Sequence, residues 1–195
     1  ALVSDAGTPA LSDPGALLVA QAHRAGIRVS PIPGPSAAAA ALSAGGFPAG
    51  AFFFAGFLPA SPAARRKAVG RLDLPVPVVL YEAPHRIAET LEDLAARFGS
   101  AREVLVGREL TKKFEEVARM PLGETRAWLA ASPERSRGEF VPVLAPGGPR
   151  EAPDADKVLA VLAEALPPSE AAPHPAKITG VAKRDLYRKT LRAPK

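Results

Sequence analysis

Residues 30–59 read S-P-I-P-G-P-S-A-A-A-A-A-L-S-A-G-G-F-P-A-G-A-F-F-F-A-G-F-L-P. An apolar run over 27–32 predicts a strand that ends at Pro33-Gly34-Pro35. The two prolines fix φ and withhold backbone donors, and Gly34 permits a conformation that other residues resist. Ser36 stands where a helix N-cap belongs, ahead of an alanine-rich run. Gly45-Gly46 and Pro48 stop that helix, and a new apolar run over 51–57 begins. The pattern is strand, elbow, helix, crossing: the chain leaves one α/β domain and enters a second. Ligands of α/β folds bind at strand C-termini and between domains, so the elbow lies where a ligand would sit.

Upstream of the elbow, residues 1–3 read as the end of a buried strand and 4–9 (S-D-A-G-T-P) as a polar loop. Asp13 as N-cap with Pro14 at the first helical position predicts a helix to about residue 25, closed by Gly26. This is a strand–loop–helix–strand unit of a parallel sheet. It is too little for a free-standing domain, so an N-terminal segment is expected to precede it. Residues 1–48 are thus expected to be the remainder of an N-terminal α/β domain with its elbow.

Downstream, 49–145 reads as a second α/β domain. Strands are expected over 51–56, 77–81, 103–106, 114–117 and 140–144, and helices over 62–72, 84–98 and 123–131. Pro142 cannot donate to a ladder, which places the last strand at an edge or gives it a bulge. Residues 146–153 (P-G-G-P-R-E-A-P) read as a linker, and 154–195 as a small basic helical module. Prolines 173 and 175 interrupt that module.

The composition narrows the chemistry. No cysteine is present, which removes disulfides, thiolate nucleophiles and cysteine-bound zinc. Three scattered histidines, His23, His85 and His174, leave little to hold a transition metal, so no metal site is expected. No apolar run approaches the roughly 20 residues of a membrane span, and a cytoplasmic location is the expectation. Net charge is +5, and residues 177–195 carry seven Lys/Arg against one acid, Asp185. That distribution suits a polyanionic partner such as nucleic acid, and equally a solubilising surface.

Seven motifs occur in order: S-D-A-G-T-P (4–9), S-D-P-G (12–15), P-I-P-G-P-S-A (31–37), F-A-G-F-L-P (54–59), Y-E-A-P-H-R (81–86), G-R-E-L-T-K-K-F-E-E (107–116) and G-E-F-V (138–141). Together they resemble the ribosomal RNA small-subunit methyltransferase I family, of the tetrapyrrole-methylase-like group. The resemblance implies two α/β domains of the tetrapyrrole methylase type with S-adenosyl-L-methionine in the cleft between them. It also implies a homodimer and 2′-O-ribose methylation of a cytidine in small-subunit (16S) rRNA. Three departures stand out. The family's first strand and Gly-rich loop have no counterpart here, Met120 stands where glycine is usual, and Pro173 and Pro175 deny an uninterrupted middle helix to the C-terminal module.

The resemblance assigns Ser4, Asp5, Ala6, Gly7, Thr8 and Pro9 to the cofactor pocket, although these residue types also make an ordinary βα turn. Ser36 and Ala37 open the elbow helix, whose N–H groups suit a carboxylate or phosphate. Tyr81, Glu82 and Ala83 are expected near the cofactor, the last two through backbone groups. Gly138 and Glu139 are expected to close the adenine side. His85 is either structural or part of the site. Methyl transfer to a ribose hydroxyl rests on positioning and on a base or nearby cation, for which Glu109, Lys112 and Lys113 are the candidates. No residue singles itself out as the base. Contacts to RNA phosphates are expected from Arg65, Arg66, Lys67, Arg86, Lys183, Arg184, Arg188 and Lys189. For Arg65, Arg66 and Lys67 a solvated helix face is the alternative; for Arg86 it is a pair with Glu82. Two rival functions share these features: a methylase of tetrapyrrole precursors, and a non-catalytic rRNA-binding module.

Overall fold

The computed structural model describes residues 1–5 and 7–148, together with Leu159, Leu162, Pro167 and Arg184. Two compact units divide the chain, Ala1–Gly147 and Gly148–Lys195. In the second, Leu159 and Leu162 are helical, Leu159 is buried, and Arg184 is helical and exposed. Lys183, Arg188 and Lys189 lie outside the described residues.

The first unit is built on one five-stranded sheet. Its strands are β1 (Phe53–Phe57), β2 (Val78–Tyr81), β3 (Glu103–Arg108), β4 (Glu116–Pro121) and β5 (Phe140–Leu144), in the spatial order β1-β2-β5-β3-β4. β1 and β2 are parallel, and the remaining pairs are antiparallel. Five helices accompany them: α1 (Ala16–Arg24), α2 (Ala37–Ala44), α3 (Pro62–Val69), α4 (Ile87–Phe98) and α5 (Thr125–Ala130).

Period-two alternation divides the strand side chains between two layers. Val78 and Leu80, Val104 and Val106, and Phe140 and Leu144 enter one core with Ile87, Leu91 and Leu94 of α4 and Val69 of α3. Val79, Leu105, Val141 and Val143 enter the other, covered by Ala38, Ala41 and Leu42 of α2 and by Phe47. Helix α2 therefore packs on the sheet that follows it in sequence. Alanine suits this place, because small side chains let the helix approach the strands closely. Met120, the departure from the family pattern, is buried opposite Val104 in the first core.

Several expectations require correction. Residues 1–3 and 27–32 form no strand: a strand needs a neighbour for its ladder, and among the described residues none pairs with them. Ile27 and Ile32 are exposed. Helix α1 starts at Ala16 with Gly15 as N-cap at φ 137° and no side-chain cap, so Asp13 does not cap it. Asp13 instead accepts a hydrogen bond from Ser4 Oγ.

Pro142 lies neither at an edge nor at a bulge but on the central strand. Phe140 and Glu82 exchange both backbone bonds, Glu82 N to Phe140 O at 3.0 Å and Phe140 N to Glu82 O at 3.2 Å. Residues two apart on a strand face the same neighbour, so Pro142 turns its missing N–H toward β2 as well. The β2–β5 ladder is interrupted there, between the pairs Val79–Val143 and Glu82–Phe140. A gap in one ladder accommodates the proline while the β3 side stays in register at Val106–Pro142.

Arg65 belongs to the scaffold rather than to an RNA surface. It is 3% exposed. Its Nε meets Asp93 at 2.6 Å and its Nη2 meets Glu89 at 2.8 Å, which ties α3 to α4. Arg86 is likewise internal. Its Nη2 donates to the carbonyls of Leu58 at 2.7 Å and Pro59 at 3.0 Å, and its Nε lies 3.3 Å from Glu82. With Nη2 on two carbonyls and Nε beside Glu82, the guanidinium is directed into the protein, and the pairing with Glu82 is what the structure shows for this residue. Arg66 and Lys67 remain exposed.

Candidate active site

A cavity of about 380 Å³ opens at the end of the sheet where β1 and β2 terminate and β5 begins. Phe57 and Tyr81, the last residues of the two parallel strands, form one side. Their rings meet edge to face with centroids 5.7 Å apart. Gly7 and Thr8 close the cavity from the polar loop, Ser36 and Ala37 from the elbow, and Glu139 from the approach to β5. The C-terminal ends of parallel strands are the usual place for a ligand in such folds.

Two devices hold the loops in place. Thr8 Oγ1 donates to the carbonyl of Pro35 at 3.1 Å, which joins the polar loop to the elbow. Ser36 caps α2 as expected, accepting from Ala39 N at 3.4 Å with extended backbone at the cap. Helix geometry leaves the amide N–H groups of Ala37 and Ala38 without intrahelical acceptors, and Ala37 lines the cavity.

Beside the cavity, the Glu139 carboxylate is held by an ionic clamp. Lys112 Nζ donates to Glu139 at 2.9 Å and to Glu109 at 3.0 Å. Glu109 in turn accepts from the backbone N–H of Glu139 at 2.8 Å. Glu109 adopts φ 49°, and Gly138 adopts φ 89°. A Cβ at position 138 would lie 2.5 Å from the Glu109 side chain, so glycine is required for this close approach. The Glu139 N–H, with Lys112 beside it, holds the Glu109 carboxyl below the ordinary carboxylate value against the opposing effect of burial. Glu139, and then Glu109, raise the Lys112 ammonium above its ordinary value. Both shifts keep the pair charged near neutral pH, which makes each a poor proton acceptor.

Of the residues expected at the cofactor, Gly7, Thr8, Ser36, Ala37, Tyr81, Glu82, Ala83 and Glu139 line this one cavity. Ser4, Asp5 and Pro9 are not among its lining residues, and Ala6 lies outside the described residues. The backbone N–H groups of Glu82 and Ala83 are already engaged, the first by Phe140 O and the second by Glu82 Oε1. The Glu82 side chain is buried and also accepts from Thr90 Oγ1 at 2.7 Å. These two residues therefore shape the wall rather than offer donors. None of the candidate catalytic residues Glu109, Lys112 and Lys113 lines the cavity; the first two reach it through Glu139. His85 is exposed and does not line it either.

Asp13, Phe57 and Val141 line the cavity and escaped the sequence reading. Phe57 ends β1 as Tyr81 ends β2, so the rule that ligands bind at strand C-termini reaches it. Asp13 was obscured because Asp-Pro is also a helix-start signal.

The described lining includes the acidic residues Asp13, Glu82 and Glu139 and no Lys, Arg or His; the Glu82 carboxylate is turned inward onto Thr90 and Arg86, and Glu139 is paired with Lys112. With a helix N-terminus opposite aromatic rings, it suits a ligand that joins a planar ring system, cationic groups and one carboxylate. S-adenosylmethionine has that composition, so the residues present fit it.

Comparison with known proteins agrees with this geometry. The profile of the tetrapyrrole (corrin/porphyrin) methylases matches residues 1–126, and that of the RsmI C-terminal HTH domain matches residues 149–193. The chain is 49% identical to ribosomal RNA small subunit methyltransferase I of Xylella fastidiosa over 96% of its own length and 70% of that protein. It is 45% identical to the protein of that name from Pseudomonas aeruginosa, over 98% of this chain and 70% of that one. Among solved structures, uroporphyrin-III-C-methyltransferase of Thermus thermophilus shares the fold at 22% identity and a TM-score of 0.51, over 71% of this chain and 60% of that one. A cobalt precorrin-4 methyltransferase does so at 12% identity and a TM-score of 0.52, over 71% and 61%.

Proposed function

The chain belongs to the ribosomal RNA small-subunit methyltransferase I family of tetrapyrrole methylases, and from that premise we propose that it methylates the 2′-oxygen of a cytidine ribose in small-subunit rRNA. The observation that carries the reading is a cavity lined by Asp13, Glu139 and aromatic rings beside a helix N-terminus, in a chain 41–50% identical to relatives of that name. The cofactor is S-adenosyl-L-methionine. When bound, it supplies a methyl group made electrophilic by the attached sulfonium.

The chain's own residues supply binding and position. The N–H groups of Ala37 and Ala38 suit the amino-acid carboxylate. The Glu139 carboxylate, fixed by Lys112, would accept from a hydroxyl or amino group of the cofactor. Tyr81 and Phe57 offer apolar ring surface. Lys112 and Glu109 hold charge near the site without exchanging protons near neutrality. Positioning thus accounts for a large share of the rate, as it does for any transfer that needs in-line approach.

The partner is a large polyanion. Arg66, Lys67 and the basic residues of 177–195 are its proposed phosphate contacts, which fix register without reading sequence. We further propose a homodimer and a cytoplasmic setting. Among the described residues no helix is long and apolar enough to cross a membrane.

The test is methyl transfer from labelled cofactor to small-subunit rRNA, with nuclease digestion and mass analysis of the methylated nucleoside. Activity should fall as salt rises, because each neutralised phosphate releases counterions. Transfer to a tetrapyrrole precursor in place of RNA would replace this reading with the metabolic one.

A further inference from the structure

The loop between β3 and β4 carries an aromatic ring that the cofactor site does not use. Phe114 is 64% exposed. An exposed phenylalanine is ordinarily unremarkable, but the backbone beneath this one is fastened. Buried Arg108 donates from Nη1 to the carbonyl of Phe114 at 3.1 Å and from Nε to the carbonyl of Arg137 at 2.8 Å. The N–H of Thr111, at φ 65°, donates to the Glu115 carboxylate, closing the loop on itself.

Among the described residues, two charged side chains of the loop have no ion-pair partner, Glu115 and Lys113, and of these Glu115 is hydrogen-bonded by the loop's own backbone. Glu109 and Glu139 are paired with Lys112 and Glu116 with Arg135 at 2.5 Å, while Glu115 accepts from the Thr111 N–H. Lys113 makes no ion pair among the described residues. Its ammonium lies 5.4 Å from the centroid of the Phe114 ring. A held, exposed ring with an uncompensated cation beside it matches what an unstacked nucleotide requires: a π-face for the base and a positive charge for its phosphate. Lys112, two residues away, is bonded to Glu139 at the cavity.

We propose that Phe114 and Lys113 form a stacking platform for a single-stranded nucleotide of the RNA substrate next to the one being methylated. The inference rests on the rRNA reading above. It assigns to Phe114 a positioning role for RNA and no role toward the cofactor.

The experiment compares wild type with Phe114→Ala, Phe114→Leu and Phe114→Trp in the full chain, using small-subunit rRNA. Phe114→Ala should weaken RNA binding about ten-fold or more, the worth of one stacked base, while calorimetric affinity for S-adenosylhomocysteine stays unchanged. Phe114→Leu should fall with alanine, since it keeps apolar volume but loses the π-face. Phe114→Trp should bind as wild type does and show emission quenched on RNA addition, above the background of Trp128. Equal RNA affinity in wild type and Phe114→Ala, or a bound Phe114→Trp complex with unquenched emission, overturns the platform. A change of oligomeric size without loss of RNA affinity assigns the ring to a protein interface and also overturns it. If wild type methylates rRNA and Phe114→Ala binds equally well, only the platform fails. If wild type neither binds nor methylates rRNA, the functional reading fails and the platform with it.

Discussion

Lys112 illustrates how a charged residue can serve a site it does not enter. It spans Glu109 and Glu139, and only Glu139 reaches the cavity. Lys112→Met should weaken binding of S-adenosylhomocysteine by roughly 2- to 5-fold, since an ion pair this exposed contributes about 0.5–1 kcal/mol. Glu139→Gln should act in the same direction, with calorimetry as the readout for both. Unaltered affinity in both variants would remove the clamp from the site. The pH dependence follows from the shifts. Glu109 is lowered on folding, so its contribution to stability is present above its ordinary value of 4.5 and is lost as the pH falls through its folded value. Lys112 is raised, so its contribution is present below 10.5 and lost as the pH rises through its folded value. Between about pH 5 and 10 the clamp should leave stability flat. At this scale much was legible in the sequence. Tyr81 ends a strand and Ser36 caps a helix, where local rules apply, whereas Gly7 and Thr8 are reached through the family resemblance, since no strand among the described residues precedes them. Arg65 and Arg86 were not legible, because a sequence shows a cation but not the carboxylates and carbonyls that distant segments bring to it.

Among the elements, β1 is an edge of the sheet, and Phe52, Phe53 and Phe57 are exposed along it at 46%, 44% and 55%. Phe54 instead packs on Tyr81, with ring centroids 4.9 Å apart. Phe57 lines the cavity, which leaves Phe53 as the exposed ring within the edge strand, and an edge strand with an exposed apolar side chain invites cover by another chain. Phe53→Glu should therefore shift the protein from dimer to monomer in light scattering at micromolar concentration. A wild-type monomer, or a dimer indifferent to this change, would contradict the homodimer. The sequence read most of these elements correctly in kind, because period-two runs and helical spacing are local signals. Helix α4 began three residues later than expected, at Ile87 in place of 84, because the Pro84–Arg86 segment forms a turn. The failure over 27–32 has a different cause: an apolar run becomes a strand only where a neighbour completes its ladder. Pro142 failed for a related reason, since the rule against central prolines presumes a continuous ladder and this one has a gap.

In the whole molecule three things meet: a cavity suited to a cationic methyl donor, membership of a family whose relatives are named for small-subunit rRNA, and exposed basic residues suited to phosphate. The fold alone does not choose among substrates, since tetrapyrrole methylases share it. Nor does the charge, since a basic surface also serves solubility. Their conjunction makes the choice, and it can be tested directly. The purified protein is incubated with small-subunit rRNA and with the assembled particle, using S-adenosylmethionine carrying a labelled methyl group. The RNA is then digested to nucleosides for mass analysis. The account predicts label in 2′-O-methylcytidine, dependent on the cofactor and reduced at high salt. Label on a base, or transfer to a tetrapyrrole precursor with none to RNA, would contradict it.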